Sequence, residues 1–233
     1  MLTPFRRCFT AFQINAWKGT PLRGLCIFVN LLVATTALAA PKIETIAPCT
    51  GSGVPELIRK ALADHGYRAT LDDSSVVELW TRSEMSGSSD KPRADATYAL
   101  TPSTFVGVIH FEKNTRDYRG NAIAAGFYNL RYELQPSDGD HLGTSPTPDF
   151  LLLVPPDSDS DPAQNYGFEQ LAALSRQVST KGHPAVLNLV PADAKEFPSV
   201  TTDPDDHTIL FFKVKTQSGE LPIGLVIKGT TAG

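Results

Sequence analysis

Asp138, Asp140 and His141 crowd four positions of one loop, and their side chains are of the types that hold a divalent metal. Carboxylate oxygens and an imidazole nitrogen suit such an ion where they converge from one side. The spacing completes no motif: no glutamate stands at the EF-hand distance and there is no His-x-x-x-His pair. A site here therefore needs a ligand from another element. His110, His183 and His207 are the candidates, and His110 joins the three loop residues in the metal set considered. The competing reading is a solvated turn whose aspartates bond neighbouring amides, the commoner fate of a partial motif.

The other histidines each have an ordinary explanation beside a functional one. His110 lies in a strand pattern, where a buried imidazole needs a hydrogen-bond partner or a metal. His183 precedes Pro184 and so has an extended backbone, as a connector would. His207 follows Asp203, Asp205 and Asp206, which read as an acidic turn before a strand, with a calcium site as the alternative. Nucleophilic chemistry finds no support: Gly51-Ser52-Gly53 is a flexible turn, Cys49 has no neighbouring base, and neither earns a catalytic assignment. Glycines are dispersed, so no phosphate-cradling loop forms. Trp80, Tyr128 and Tyr132 suit either a sugar-binding face or a core, and period-two aromatics favour the core.

The elements that would position these residues are mostly strands. Tyr128, Leu130, Tyr132 and Leu134 alternate with Asn129, Arg131 and Glu133, the pattern of a half-buried strand. Phe150 to Val154 is an apolar run closed by two prolines, as in a strand buried on both sides. Thr104 to Phe111 reads as a central strand. Tyr67 to Leu71 and Ser75 to Arg82 read as a hairpin around Asp72-Asp73-Ser74. Ala96 to Leu100, Ala185 to Val190, Thr208 to Lys215 and Leu221 to Lys228 add further strands, the last two as a hairpin. Helical spacing marks Val54 to His65, closed by Gly66, and a second stretch from Phe168 to about Lys181. Met85 to Ala94 and Asp157 to Ala163 read as an exposed loop and an acidic linker. About nine strands with two singly placed helices predict an antiparallel β-sandwich with peripheral helices, because most connections are too short for the crossovers of a parallel sheet.

Residues 1–39 stand apart. Their only charges are Arg6, Arg7, Lys18 and Arg23, and Leu25 to Leu38 is nearly free of polar groups, with Asn30, Thr35 and Thr36 the exceptions, and leads into Ala37-Leu38-Ala39. That is the layout of a secretory signal peptide cut near Ala39/Ala40, too short and polar for a span. Its removal takes four of the 21 basic residues and none of the 25 acidic ones, leaving 17 against 25, a net charge of −8. So acidic a chain is a poor partner for nucleic acid or an anionic membrane. Cys8 and Cys26 leave with the leader, so Cys49 has no internal disulfide partner and residues 40–233 must be held as a single domain by their core.

The segment Gly-x-Tyr-x-Leu-x-Tyr from Gly126, followed by Gly139-Asp140-His141-Leu142-Gly143, Asp149-Phe150-Leu151-Leu152-Leu153 and His183-Pro184-Ala185-Val186-Leu187, resembles a group of uncharacterised secreted bacterial β-sandwich proteins. The resemblance implies the fold and the secreted location and brings no activity with it. Two functions are expected from different classes. The first is a secreted or periplasmic, non-enzymatic binding module whose partner is a protein or an extracellular polymer, held through the loops around residues 136 to 149. The alternative is a metal-binding protein or metal-dependent hydrolase built on Asp138, Asp140, His141 and His110.

Overall fold

The alternation in residues 126–134 sets the plan of the molecule. In the computed structural model, which describes residues 40–85, 91–137, 145–179 and 182–230, Gly126–Leu134 forms strand β7. Tyr128, Leu130 and Tyr132 point into the main core. Ten strands share one antiparallel sheet. They are β1 (Lys42–Ile46), β2 (Gly66–Thr70), β3 (Val76–Thr81), β4 (Phe105–Phe111), β7, β8 (Asp149–Val154), β9 (Val186–Val190), β12 (Gly219–Lys228), β11 (Thr208–Thr216) and β10 (Ser199–Thr202), in that spatial order. The two edge strands, β1 and β10, come alongside each other, so the sheet rolls into a nearly closed layer. The architecture is mainly β and antiparallel, and its two packed faces are halves of one continuous sheet. Thr115–Arg116 (β5) and Ala122–Ile123 (β6) make a separate small hairpin. Residues from Leu38 to Gly233 form one compact unit. No described helix is long and apolar enough to cross a membrane.

Inside the roll, side chains from all sides interdigitate, among them Leu79, Ile109, Leu130, Leu151, Leu187, Phe212 and Leu225. Leu210, Phe212 and Val214 share the inner face of β11, as their spacing predicts. β4 departs from simple alternation. Its register shifts between Phe105 and Gly107, so Phe105 turns outward while Val106 and Ile109 face the core. Gly107 suits that bulge, because a Cβ there would lie 2.2 Å from the carbonyl oxygen of Trp80.

Three covers bury parts of the outer face, and they account for most departures from the expected elements. The first is the N-terminal segment with helix α1 (Glu56–Ala61), packed with Cys49, Val54, Ile58 and Leu62 against Trp80, Phe105 and Val108. The helix is much shorter than residues 54–65. The amide of Ala63 donates to Thr81 and Leu62 bridges Arg82, so the chain has already joined the edge of β3. Gly66 opens β2 instead of closing the helix, and its missing Cβ leaves room for the Trp80 indole. Leu57, expected on the buried stripe, is 61% exposed. Trp80 is buried, with its Nε1–H donating to the Ala47 carbonyl at 2.9 Å.

The second cover is the chain from 156 to 167, laid across β7. The third is helix α2 (Phe168–Ser175), whose Leu171 packs on Phe150, Leu152 and Val154 of β8. It too is shorter than its pattern suggests and ends at Ser175, whose hydroxyl bonds both the amide and the carbonyl of Ala185. Ala96 to Leu100 is irregular and not a strand. It plugs one end of the roll, with Thr97 and Tyr98 amides donating to the buried Asp149 carboxylate at 2.8 and 3.1 Å. The Tyr132 hydroxyl donates to the same carboxylate at 2.7 Å. Tyr98 donates its own hydroxyl to the Val190 carbonyl and accepts from the Gly224 amide, which ties the plug to β9 and β12.

Candidate functional site

Asp138, Asp140 and His141 lie outside the described residues, as does the expected signal peptide. His110 itself sits on the outer face of β4. Its Nδ1 lies 3.0 Å from Glu78 Oε2 and its ring stacks on Phe127 at 4.1 Å. Glu78 in turn accepts from Arg68, which also reaches Glu44. Register explains this: Glu44, Arg68, Glu78 and His110 are successive cross-strand partners on β1 to β4. Glu44, Arg68 and Glu78 alternate in charge across three strands and His110 extends the row by its contact with Glu78, a sheet-stabilising arrangement.

Among the described residues, the one group of three ligating side chains within 4.8 Å of each other is Asp203, Asp205 and His207. Its bonds are those of a turn. Asp203 Oδ1 accepts from the amides of Asp205 and His207, each at 2.9 Å, and Oδ2 lies 3.0 Å from His207 Nδ1. These contacts hold Asp203's carboxyl below its ordinary range, although its partial burial pushes the other way. The His207 ring stacks on Tyr118. The acidic-turn reading of these residues describes what they do.

Two other clusters look chemical and are saturated. Arg131, on the outer face of β7, is 1% exposed and sits between the rings of Phe105 and Tyr166. Its Nε and one terminal nitrogen grip Asp159 at 2.8 and 2.6 Å, and its remaining donors reach the carbonyls of Ser103, Gln164 and Asp161. All five guanidinium donors are used, the condition under which a buried charge is tolerated. Cys49 is buried, and desolvation pushes its thiol above the usual value. A thiol held protonated is a poor nucleophile.

A groove of about 450 Å³, one of several open cavities among the described residues, lies on the outer face of β8 and β9, beside α2. Cross-strand register orders its floor: Phe150 opposite Asn188, then Leu152 opposite Val186, then Pro184 and His183 beyond the start of β9. Phe168 at the first turn of α2 forms one wall. Gln135 and Pro136 line it just past the end of β7, where the loop that holds Asp138 to His141 departs. The turn between β5 and β6 adds Asp117, Arg119 and Asn121.

That turn is fixed from below. Asp117 is buried, and its carboxylate accepts from the Arg119 and Asn121 amides and from Asn121 Nδ2. Gly229, just past β12, lets the turn approach, because a Cβ there would lie 1.9 Å from the Asp117 carbonyl oxygen. The volume falls within the range of small-molecule sites, and an apolar floor with few polar groups at the rim is their usual chemistry.

The chain matches no family model, curated protein or solved structure. The groove therefore stands on its own geometry. Of the histidines, His183 lines it, His207 touches Tyr118 in the adjoining turn, and His110 belongs to the charged row on β4. Sequence reasoning placed His183 in a connector and missed Arg119, Phe150 and Phe168 as site residues. Their signals were present, an apolar strand and an amphipathic helix, but both read as core.

Proposed function

We propose that this protein is a secreted or periplasmic, non-enzymatic binding module that receives its ligand in the groove over β8 and β9. The observation that carries the reading is the apolar lining of the groove, in which Val186 on the floor and Phe168 on the wall are half-buried beside the buried Phe150 and Leu152. A surface this apolar is costly to leave in water and is typical of a recognition site. The expected contact region around residues 136 to 149 adjoins it through Gln135 and Pro136. Export rests on the leader-like composition of residues 1–39.

A ligand-observed NMR screen with chemically broad small fragments tests the reading. Binders are expected that lose their signal in Val186→Arg, which fills the floor with a charge, and keep it in Thr201→Arg on the exposed edge strand β10. Hits that survive Val186→Arg would place recognition elsewhere, and so would their complete absence.

A further inference from the structure

We infer that the ligand of this groove is a single-chain acyl carboxylate, its hydrocarbon on the floor and its carboxylate at Arg119; this rests on reading the groove as the binding site. The first argument is charge. Arg119 is the one arginine or lysine among the described lining residues, and among the described residues its guanidinium has no hydrogen-bond or ion-pair partner. The neighbouring Asp117 does not neutralise it directly, because that carboxylate is turned into its own turn by three donors. A free guanidinium beside Asn121 and His183 at the rim offers hydrogen-bond donors to an anion.

The second argument distinguishes an acyl chain from a peptide. A peptide brings an amide donor and a carbonyl acceptor with every residue, and each needs a partner when buried. The floor supplies few. β8 is already paired on both sides, by β7 and β9, and β9 by β8 and β12. No sheet edge is exposed in the groove for an added strand, and Asn188, the polar group on the floor, already donates to Ser145. A hydrocarbon chain brings no such groups and buries cleanly against Phe150, Leu152, Val186 and Phe168. A cavity of about 450 Å³ is sized for one such molecule.

The test is calorimetric titration of the protein with decanoate below its micelle concentration, with 1-decanol as the neutral analogue. One decanoate per chain is expected to bind, with decanol weaker. Arg119→Glu is expected to weaken decanoate by about tenfold or more, the loss of a charge-assisted pair, and to leave decanol unchanged. Lys42→Glu makes the same charge change on the exposed strand β1 and is expected to leave both unchanged. Equal binding of the two probes, or decanoate binding indifferent to Arg119→Glu, overturns the carboxylate assignment while the groove stands. Absence of binding by both probes overturns the acyl assignment as a whole, and the fragment screen with Val186→Arg then decides separately whether the groove is a site.

Discussion

The outer faces of β7 and of β8 with β9 lie side by side on one sheet and are covered in opposite ways. Over β7, residues 156 to 167 deliver Asp159, two carbonyls and the Tyr166 ring to Arg131, Ser103 adds a third carbonyl, and every donor of the guanidinium is filled. Over β8 and β9, α2 buries Phe150 and Leu152 but leaves Val186 partly open, beside an arginine with no partner among the described residues. The first region holds the most conspicuous charged residues of the fold and is structural. The second has few polar groups and is the candidate site. Saturation, and not the presence of reactive side chains, separates the two.

That contrast is broken most directly at Arg131. Replacing Asp159 by Ala leaves the guanidinium buried without its partner, and a loss of about 3–5 kcal/mol is expected. Chemical denaturation measures it; a loss below about 1 kcal/mol would show that water reaches the pair, by the exposed-pair range. The double change Arg131→Met with Asp159→Leu is expected to recover much of the loss, since apolar replacements of similar volume remove both desolvation costs.

Glu133 offers a second test on the same face of β7. It is buried, and desolvation raises its carboxyl from 4.5 to about 7, against the smaller opposing effect of the Leu134 and Ser103 amides. The native state therefore binds more protons than the unfolded state between those values. Stability from this group is full below about pH 4.5 and is lost as the pH rises through about 7. Glu133→Gln is expected to remove that slope, worth up to about 3 kcal/mol across the window. Unfolding midpoints of both proteins at pH 5 and pH 8 check it, and parallel pH dependence would contradict it.

Tyr132→Phe removes one of the donors to the buried Asp149 carboxylate. A cost of about 1–3 kcal/mol is expected, with the Tyr98 plug loosened, visible as faster amide exchange at Thr97 and Tyr98. In the groove, by contrast, Val186→Arg is expected to cost only about 1 kcal/mol or less while abolishing fragment binding, because a half-buried floor residue lets a long side chain reach water. A larger loss of stability would assign the floor to the core. Least of all is expected from Zn²⁺ or Ca²⁺: the melting temperature stays unchanged on their addition, since Asp203 is committed to its turn. A rise would restore the metal reading for that turn or for the loop of Asp138, Asp140 and His141.

Local patterns carried much of the fold. Tyr128, Leu130 and Tyr132 announce an inner face by spacing alone, and the unbroken run from Phe150 announces a strand buried on both sides. What covers an outer face is a question of partners distant in the chain. Arg131 meets Asp159 28 residues later, so Asn129, Arg131 and Glu133 read as solvent-facing and the acidic stretch reads as a linker. β10 escaped notice because four residues of Ser, Val and Thr carry little apolar signal. The groove was illegible for a related reason. Its floor depends on the register of β8 against β9, and its charge on a turn held by Gly229, over a hundred residues away.

The position of β12 also bears on how the chain is made. This last strand lies in the interior of the sheet, between β9 and β11, and the roll draws the first strand toward β10 near the other end of the sequence. β11 and β10 cannot join β9, nor can β10 meet β1 at the seam, until residues 219–228 are available. Contacts so distant in sequence make folding slow and late.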